Sequence, residues 1–331
     1  MTAARQMTVT GDETKESAAI EQEPTAVRPD PGGAERRTPP GRSKDREPEP
    51  EELRADCIAD SAGGLTFDLT APQDAPAAWS AALVLRLRGG DGAGDGEVRL
   101  PLGPNGAGRL RAVLPSTVAL AEGRWNAYAD LGDGRDPRRL LPGVNDLRSL
   151  VDRRPLAGIG RLGVRIPYAT KFGNLALRSW LRGPHAEAGD ILVAPDGMTV
   201  SGRLYGAAPA ATGAQAEARA RRRGESPDGG GPATVTVPLD IEGPEFTFTL
   251  PYAELAAHWE SGSEPWDLWL RPAEGARPVR IARLLDDVAD KKQVFSYPAL
   301  AVSCPAGQVR VGPYYTLDND LAVRVAGPDQ S

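Results

Sequence analysis

"PYATKFGNLALR" (167–178) and "PYYTLDNDLAVR" (313–324) are two versions of one phrase, with Pro, Tyr, Thr, Leu, Ala and Arg in register. Each reads as strand, tight turn, strand. Working outward, "GLTF" (64–67) matches "GMTV" (197–200), and "VRLPL" (98–102) matches "VTVPL" (235–239). "RAVLPSTVALA" (111–121) matches "TFTLPYAELAA" (247–257). From Trp125 to Asp146 and from Trp266 to Asp287 the copies run without a gap. The phrase therefore closes each of two homologous units, 53–182 and 183–327.

The units read as strands. "AALVLRLR" (81–88), "EVRLPL" (97–102), "RLRAVL" (109–114), "LGVRIPY" (162–168) and "NLALRSW" (174–180) alternate apolar and polar side chains. Turn-forming runs such as "GGDGAGDG" (89–96), "GPNGAG" (103–108) and "GDGRDP" (132–137) separate them. "AQAEARARRR" (214–223) has helix-forming alanines, but its partner is "SAALVLRLR", so a strand is expected. A short helical turn is expected after "LP" in both copies. The fold class is all-β: two tandem immunoglobulin-like antiparallel sandwiches produced by internal duplication.

Residues 1–52 hold no aromatic residue, seven prolines and a net charge of −4, out of −6 for the whole chain. Such a stretch cannot bury enough apolar surface to offset its ordering entropy, so a disordered tail is expected. The mild charge makes no case for nucleic acid or an anionic membrane surface. No stretch resembles a secretory signal or is long and apolar enough to be a transmembrane segment, so the expected location is the cytoplasm.

Positions kept in both copies are expected to be scaffold, because both units need the same fold but rarely the same ligand. These are Asp146/Asp287, Tyr168/Tyr314, Thr170/Thr316, Arg178/Arg324 and the core pair Trp125/Trp266. Arg–Asp pairs and Tyr hydroxyls among them would satisfy buried backbone groups at sheet corners. The less symmetric Trp180, Trp259 and Trp269, with Trp79, are the candidates for a sugar-binding face. Cys57 stands opposite Ile191 of the other copy and reads as a buried strand residue.

No metal site or cofactor is expected. Two cysteines and two histidines (His185, His258) give no zinc spacing, and "DND" (318–320) and "DGAGDG" (91–96) sit where turns belong. "RARRR" (219–223) reads as a solvated strand end. No Walker loop, GxGxxG or GxSxG motif occurs, and neither histidine has a nucleophile beside it in sequence.

"VRIPYATKFGNLALRSWLRGPHAEAGDI", "MTVSGRLYGA", "WDLWLRP" and "VRIARLLDDVADKK" resemble the accessory β-sandwich regions of bacterial cell-envelope glycosyltransferases. They are similar to the tandem immunoglobulin-like region that follows the catalytic domain in family 2, wall-teichoic-acid-type enzymes and their actinobacterial relatives. Stand-alone proteins of this kind carry the label "transferase". The resemblance spans 54–326 and implies oligomerisation and polymer binding. It carries over no catalytic residue, because no strand–helix alternation here could house the family's nucleotide-binding domain.

The expectation is a non-catalytic accessory or glycan-binding protein whose partners are a glycosyltransferase, a cell-envelope polymer or further copies of itself. It would reach the membrane only through such a partner. The alternative is a transferase, of glycosyl or glycerophosphate groups, with its site between the sandwiches around His185 and Asp190.

Overall fold

The computed structural model describes residues 52–70, 80–89, 96–106, 108–151, 153–155, 160–206, 217–223 and 232–328. The expected tail, Trp79, most of "DGAGDG" and the loop after "RARRR" lie outside them. Residues Pro50–Ser331 make one compact unit.

The first half carries β1 (Arg54–Ala59), β2 (Leu65–Thr70), β3 (Ala82–Leu87), β4 (Glu97–Pro101), β5 (Gly103–Pro104) and β6 (Arg109–Leu114). It continues with β7 (Gly123–Asp130), β8 (Arg138–Arg139), β9 (Leu141–Asp146), β10 (Leu162–Ala169) and β11 (Leu175–Arg182). The second half carries β12 (His185–Ala194), β13 (Gly197–Tyr205), β14 (Glu217–Arg222), β15 (Thr234–Pro238), β16 (Asp240–Glu242) and β17 (Glu245–Pro251). There follow α1 (Tyr252–Ala256), β18 (Ser263–Arg271), β19 (Val279–Ala282), β20 (Leu300–Cys304), β21 (Gly307–Tyr315) and β22 (Leu321–Ala326).

The chain is all-β, and its strands pair in the same order twice. In the first half the sheets run β5-β6-β2-β1-β9 and β10-β11-β7-β3-β4, with β8 on β7. In the second, β16-β17-β13-β12-β19 answers the one, and β21-β22-β18-β14-β15 answers the other, with β20 added beyond β21. The registers agree too. Leu177 faces Trp125 as Val323 faces Trp266, and Arg139 faces Tyr128 as Arg280 faces Trp269. "EARARR" is a strand, β14, as the alternation of its partner predicts.

Two expectations need correction. The sheets are not purely antiparallel: β9 runs parallel to β1, and β19 parallel to β12. The chain leaves β7 or β18, crosses from one sheet to the other, and re-enters beside the first strand, a crossover that produces a parallel pair. Because β19 pairs both β12 and β18, the second half is one continuous 11-stranded sheet. The helical turn after "LP" forms only in the second copy, where Ala, Glu and Leu favour it; "STVALA" makes a plain turn.

Inward-facing side chains fill two apolar cores. One is built on Phe67, Trp125 and Trp180, the other on Phe246, Tyr252, Trp266 and Tyr315. Cys57 is fully buried, and burial, with the Asp56 charge beside it, pushes its thiol up to about 12, in keeping with the apolar role read from sequence. The first core also takes in Tyr205, Ala282, Leu284 and Leu285 from the second half. The halves thus share apolar contacts rather than hanging from a linker.

The opening phrase is a hairpin with one turn chemistry. The Thr170 N–H donates to Asn174 O (2.9 Å), while Thr170 Oγ1 accepts from the Phe172 and Asn174 N–H groups (3.3 and 3.2 Å). Thr316 repeats this with Asp320 O (2.9 Å) and the N–H groups of Asp318 and Asp320 (both 3.2 Å). The left-handed position of the turn holds Gly173 (φ +76°) in one copy and Asn319 (φ +59°) in the other, the two residues that tolerate it best.

Asn319 is fully buried, and its side chain has a second task. Its Oδ1 accepts from Lys291 N–H (3.1 Å), and its Nδ2 donates to the carbonyls of Val288 and Ala289 (3.3 and 3.4 Å). An Asn319→Gly variant keeps the turn but strands these buried groups. A loss of roughly 1–3 kcal/mol in denaturant unfolding is expected. Gly173→Ala, which only strains the backbone, should cost about 1–2 kcal/mol.

Candidate functional site

Alternation along β18 sends Trp266, Leu268 and Leu270 into the core and leaves Asp267 and Trp269 on the outer face. There they meet Arg223 just past β14, Arg280 on β19, and the link Leu181–Pro184 that joins the halves. Together with Arg182, Arg277 and Asp320 these residues line a cleft of about 580 Å³. A neighbouring cleft of about 460 Å³ shares Arg223 and Asp320 with it and extends past Tyr314, Lys292 and Arg324.

The electrostatics are those of a crowded guanidinium cluster. Asp267 accepts from Arg223 through both oxygens and from Arg280 Nη2 (2.7 Å). Burial pushes the Asp267 carboxyl up, but hydrogen bonds and charges from the two arginines more than offset it, and the group ends below the usual range. Asp320 lies more deeply buried and ends above that range, because its arginine partners sit farther off. Arg182 Nη1 is 3.4 Å and Arg280 Nε 3.5 Å from its oxygens. The Arg280 guanidinium also lies 5.1 Å from the centre of the Trp269 ring, a cation–π contact. Three buried atoms of the lining, Arg182 Nε, Arg280 Nη1 and Asp320 Oδ1, have no hydrogen-bond partner among the described residues. Buried polar atoms left in that state are costly unless something else satisfies them.

The three tryptophans proposed from sequence do not form one face. Trp269 alone lines the cleft. Trp180 is fully buried in the first core, with its indole N–H donated to Asp318 O (3.0 Å), so it has no face to offer a sugar. Trp259 is half-buried at the end of the second core, where its N–H donates to Gly262 O (3.3 Å). Trp180 looked unpaired because its counterpart in the second copy is Ala326, which packs a smaller space.

The shared polar residues also separate. Arg178 pairs not with Asp146 but with Asp318 at the tip of the second hairpin, while its guanidinium lies 5.0 Å from the Trp180 ring centre. Asp146 pairs with its near neighbour Arg148 (2.6 Å), and Asp287 is exposed. Arg324 stacks over Tyr314 at 4.5 Å, and the Tyr168 hydroxyl has no hydrogen-bond partner among the described residues. The shared Arg–Asp pairing expected from sequence therefore does not form: β9 carries Asp146 into the opposite sheet from β11.

His185 and Asp190 are not brought together. His185 is buried and its Nε2 lies 2.6 Å from Glu187 Oε2. That carboxylate accepts from the N–H groups of Leu284 and Leu285 (2.8–2.9 Å), fastening the segment that enters the first core. Asp190 sits exposed at a register shift in β12. Among the described residues no group of three or more His, Cys, Asp or Glu could hold a metal ion, and no helix is long and apolar enough to cross a membrane.

Arg182, Arg277, Arg280 and Asp267 escape the sequence reading, and Arg223 and Asp320 read there as a solvated strand end and a turn, because the six come from five separate segments. The available signal was the outward position of Trp269 in a strand of known register.

No family model and no curated protein sequence matches the chain. Among solved structures it is similar to S. aureus TarS at a TM-score of 0.29 and 12% identity, over 60% of this chain and 35% of that one. A second structure, TarS 217-571, gives 0.28 and 12%, over 61% and 56%. The chain thus spans 35% and 56% of the two lengths it is compared with.

The cleft chemistry predicts a pH-dependent stability. Asp267 titrates below its unfolded value, so its contribution is present above pH ~4 and fades as pH falls through the folded pKa. Asp267→Asn should cost about 2 kcal/mol at pH 7, since it strips the buried Arg280 of a charged partner. Parallel denaturant titrations from pH 7 down to pH 3 should show the two proteins converging at the acid end.

Proposed function

We propose that the protein is a non-catalytic, glycan-binding accessory of cell-envelope polysaccharide assembly, and that the cleft beside Trp269 seats the ligand. The observation that carries this reading is the pairing of a half-exposed indole with buried donors and an acceptor that lack hydrogen-bond partners among the described residues, in one cleft of about 580 Å³. A sugar ring offers an apolar C–H face for an aromatic platform and hydroxyls for convergent polar groups. Arg182 Nε and Arg280 Nη1 would donate to hydroxyl oxygens, and Asp320 Oδ1 would accept from a hydroxyl.

The accessory role, the envelope setting and the partner glycosyltransferase rest on the resemblance of the repeated phrases to the accessory regions of such enzymes. Self-association belongs to the same proposal, as does attachment to the membrane through a partner. A cytoplasmic site of action is likewise proposed on the sequence alone. The boundary between the two duplicated units, 182/183, is likewise proposed from the sequence repeat; residues Leu181–Pro184 around it line the cleft.

Pulldown on teichoic-type polymer and a glycan array test the reading with Trp269→Ala. The variant should bind at least about tenfold more weakly, a loss of about 1.4 kcal/mol, while its unfolding midpoint stays close to that of the parent. Trp180→Ala, by contrast, should lose roughly 3–5 kcal/mol of stability. Unchanged binding by Trp269→Ala would remove the cleft from consideration.

A further inference from the structure

The duplication places a second copy of the arginine–aromatic cluster on the first half, and one substitution changes what it can do. By strand register, Tyr128 stands where Trp269 does, Arg139 where Arg280 does, Arg88 where Arg223 does, and Asn126 where Asp267 does. The contacts repeat as well. Arg88 Nε and Arg139 Nη2 both donate to Asn126 Oδ1 (2.7 and 3.2 Å), just as Arg223 and Arg280 both donate to Asp267. Arg139 lies 4.8 Å from the Tyr128 ring centre, matching Arg280 over Trp269.

The difference is a full negative charge. In the second half, a carboxylate bridges the two guanidinium groups. In the first, a neutral amide occupies that place, and among the described residues neither Arg88 nor Arg139 is paired with a carboxylate. Arg86, from β3, also stands over Tyr128 (5.1 Å), though its own charge is matched by Glu97 (2.8 Å). Burial holds the Arg139 guanidinium below its ordinary range, and the Arg88 charge beside it acts in the same direction. Guanidinium groups in this spacing are suited to bridging by an oxyanion through charge-assisted hydrogen bonds.

We infer that the Arg88–Arg139–Tyr128 cluster of the first half is a binding site for an oxyanion, phosphate or carboxylate, carried by a ligand. The Asp267 carboxylate of the second half shows that an anion can bridge such a pair; in the first half Asn126 holds that inner place, so the oxyanion would approach the pair from the exposed Arg88 side. The site is separate from the Trp269 cleft and stands whether or not that cleft binds glycan.

Reciprocal exchange of the two residues tests this. Inorganic phosphate, glucose 6-phosphate and glucuronate are titrated into the full chain, with the arginine Nε–H signals followed by NMR. With inorganic phosphate, which offers no sugar ring to the Trp269 cleft, saturable shifts are expected for Arg88 and Arg139 but not for Arg223 and Arg280. Asn126→Asp, which installs the second half's carboxylate, should weaken binding at least tenfold. Asp267→Asn should create a second saturable site at Arg223 and Arg280. Arg88→Ala, an exposed side chain whose removal leaves the fold intact, should also abolish the shifts. A response to the phosphates alone, or to glucuronate alone, fixes which oxyanion the site prefers. No saturable shift with any of the three, or undiminished binding by Asn126→Asp or Arg88→Ala, overturns the inference.

Discussion

The structure depends on where the tip of the second hairpin can go. Thr316–Asp320 rests on β11 of the first half, where Asp318 faces the nearly buried Arg178 and the Asp318 carbonyl receives the Trp180 indole N–H. Behind the tip, Asn319 holds the 288–291 segment, and the buried Lys291 ammonium meets Asp286 (2.6 Å) and the Val288 carbonyl (2.9 Å). These groups are removed from water together, so each needs the others: an orphaned charge at this depth costs about 3–5 kcal/mol. Burial depresses the Lys291 pKa even with Asp286 beside it. The apolar residues Ala282, Leu284 and Leu285, continuous with that segment, then complete the first core. Docking of the hairpin, closure of the core and alignment of the two halves form one cooperative arrangement. The cleft inherits its walls from it.

Much of this was legible in the sequence because a strand repeats its side-chain direction every two residues. Once the two copies were aligned, Cys57 could be matched to Ile191 and Trp125 to Trp266, and the cross-strand partners follow that alignment. Direction within a strand was readable; neighbours across the halves were not. Trp180 passed for a free aromatic because nothing in "NLALRSW" reveals that another hairpin will cover it. Arg178 was grouped with the shared scaffold residues, but the partner it finds, Asp318, lies 140 residues away. Long-range pairing of this kind leaves no local trace, whereas the Thr170 and Thr316 turns, closed within five residues, do.

The two hairpin tips show how one scaffold diverges after duplication. The first tip presents Phe172, 77% exposed, where the second presents Asp318. The second uses Asn319, where the first has Gly173, and thereby gains three hydrogen bonds to a segment for which the first half makes no such use. Both residues satisfy the same left-handed backbone requirement, so the exchange costs the turn little. Docking thus rests on differences at tip positions where the fold constrains the backbone but leaves the side chain open.

That pattern revises the rule that shared residues are scaffold and unshared ones functional. Arg88 and Arg223 are shared, as are Arg139 and Arg280, yet each pair stands on the outer face of a sheet, where the fold does not require it. What varies is the group between them: Asn126 in one half, Asp267 in the other. A guanidinium pair kept twice, with a carboxylate between its members only once among the described residues, is poorly explained by stability alone, since mutual repulsion makes the uncompensated pair the costlier arrangement. Shared positions therefore deserve the functional question whenever their charge partners differ between copies. Sequence comparison locates such positions, and only the three-dimensional register shows that the partners differ.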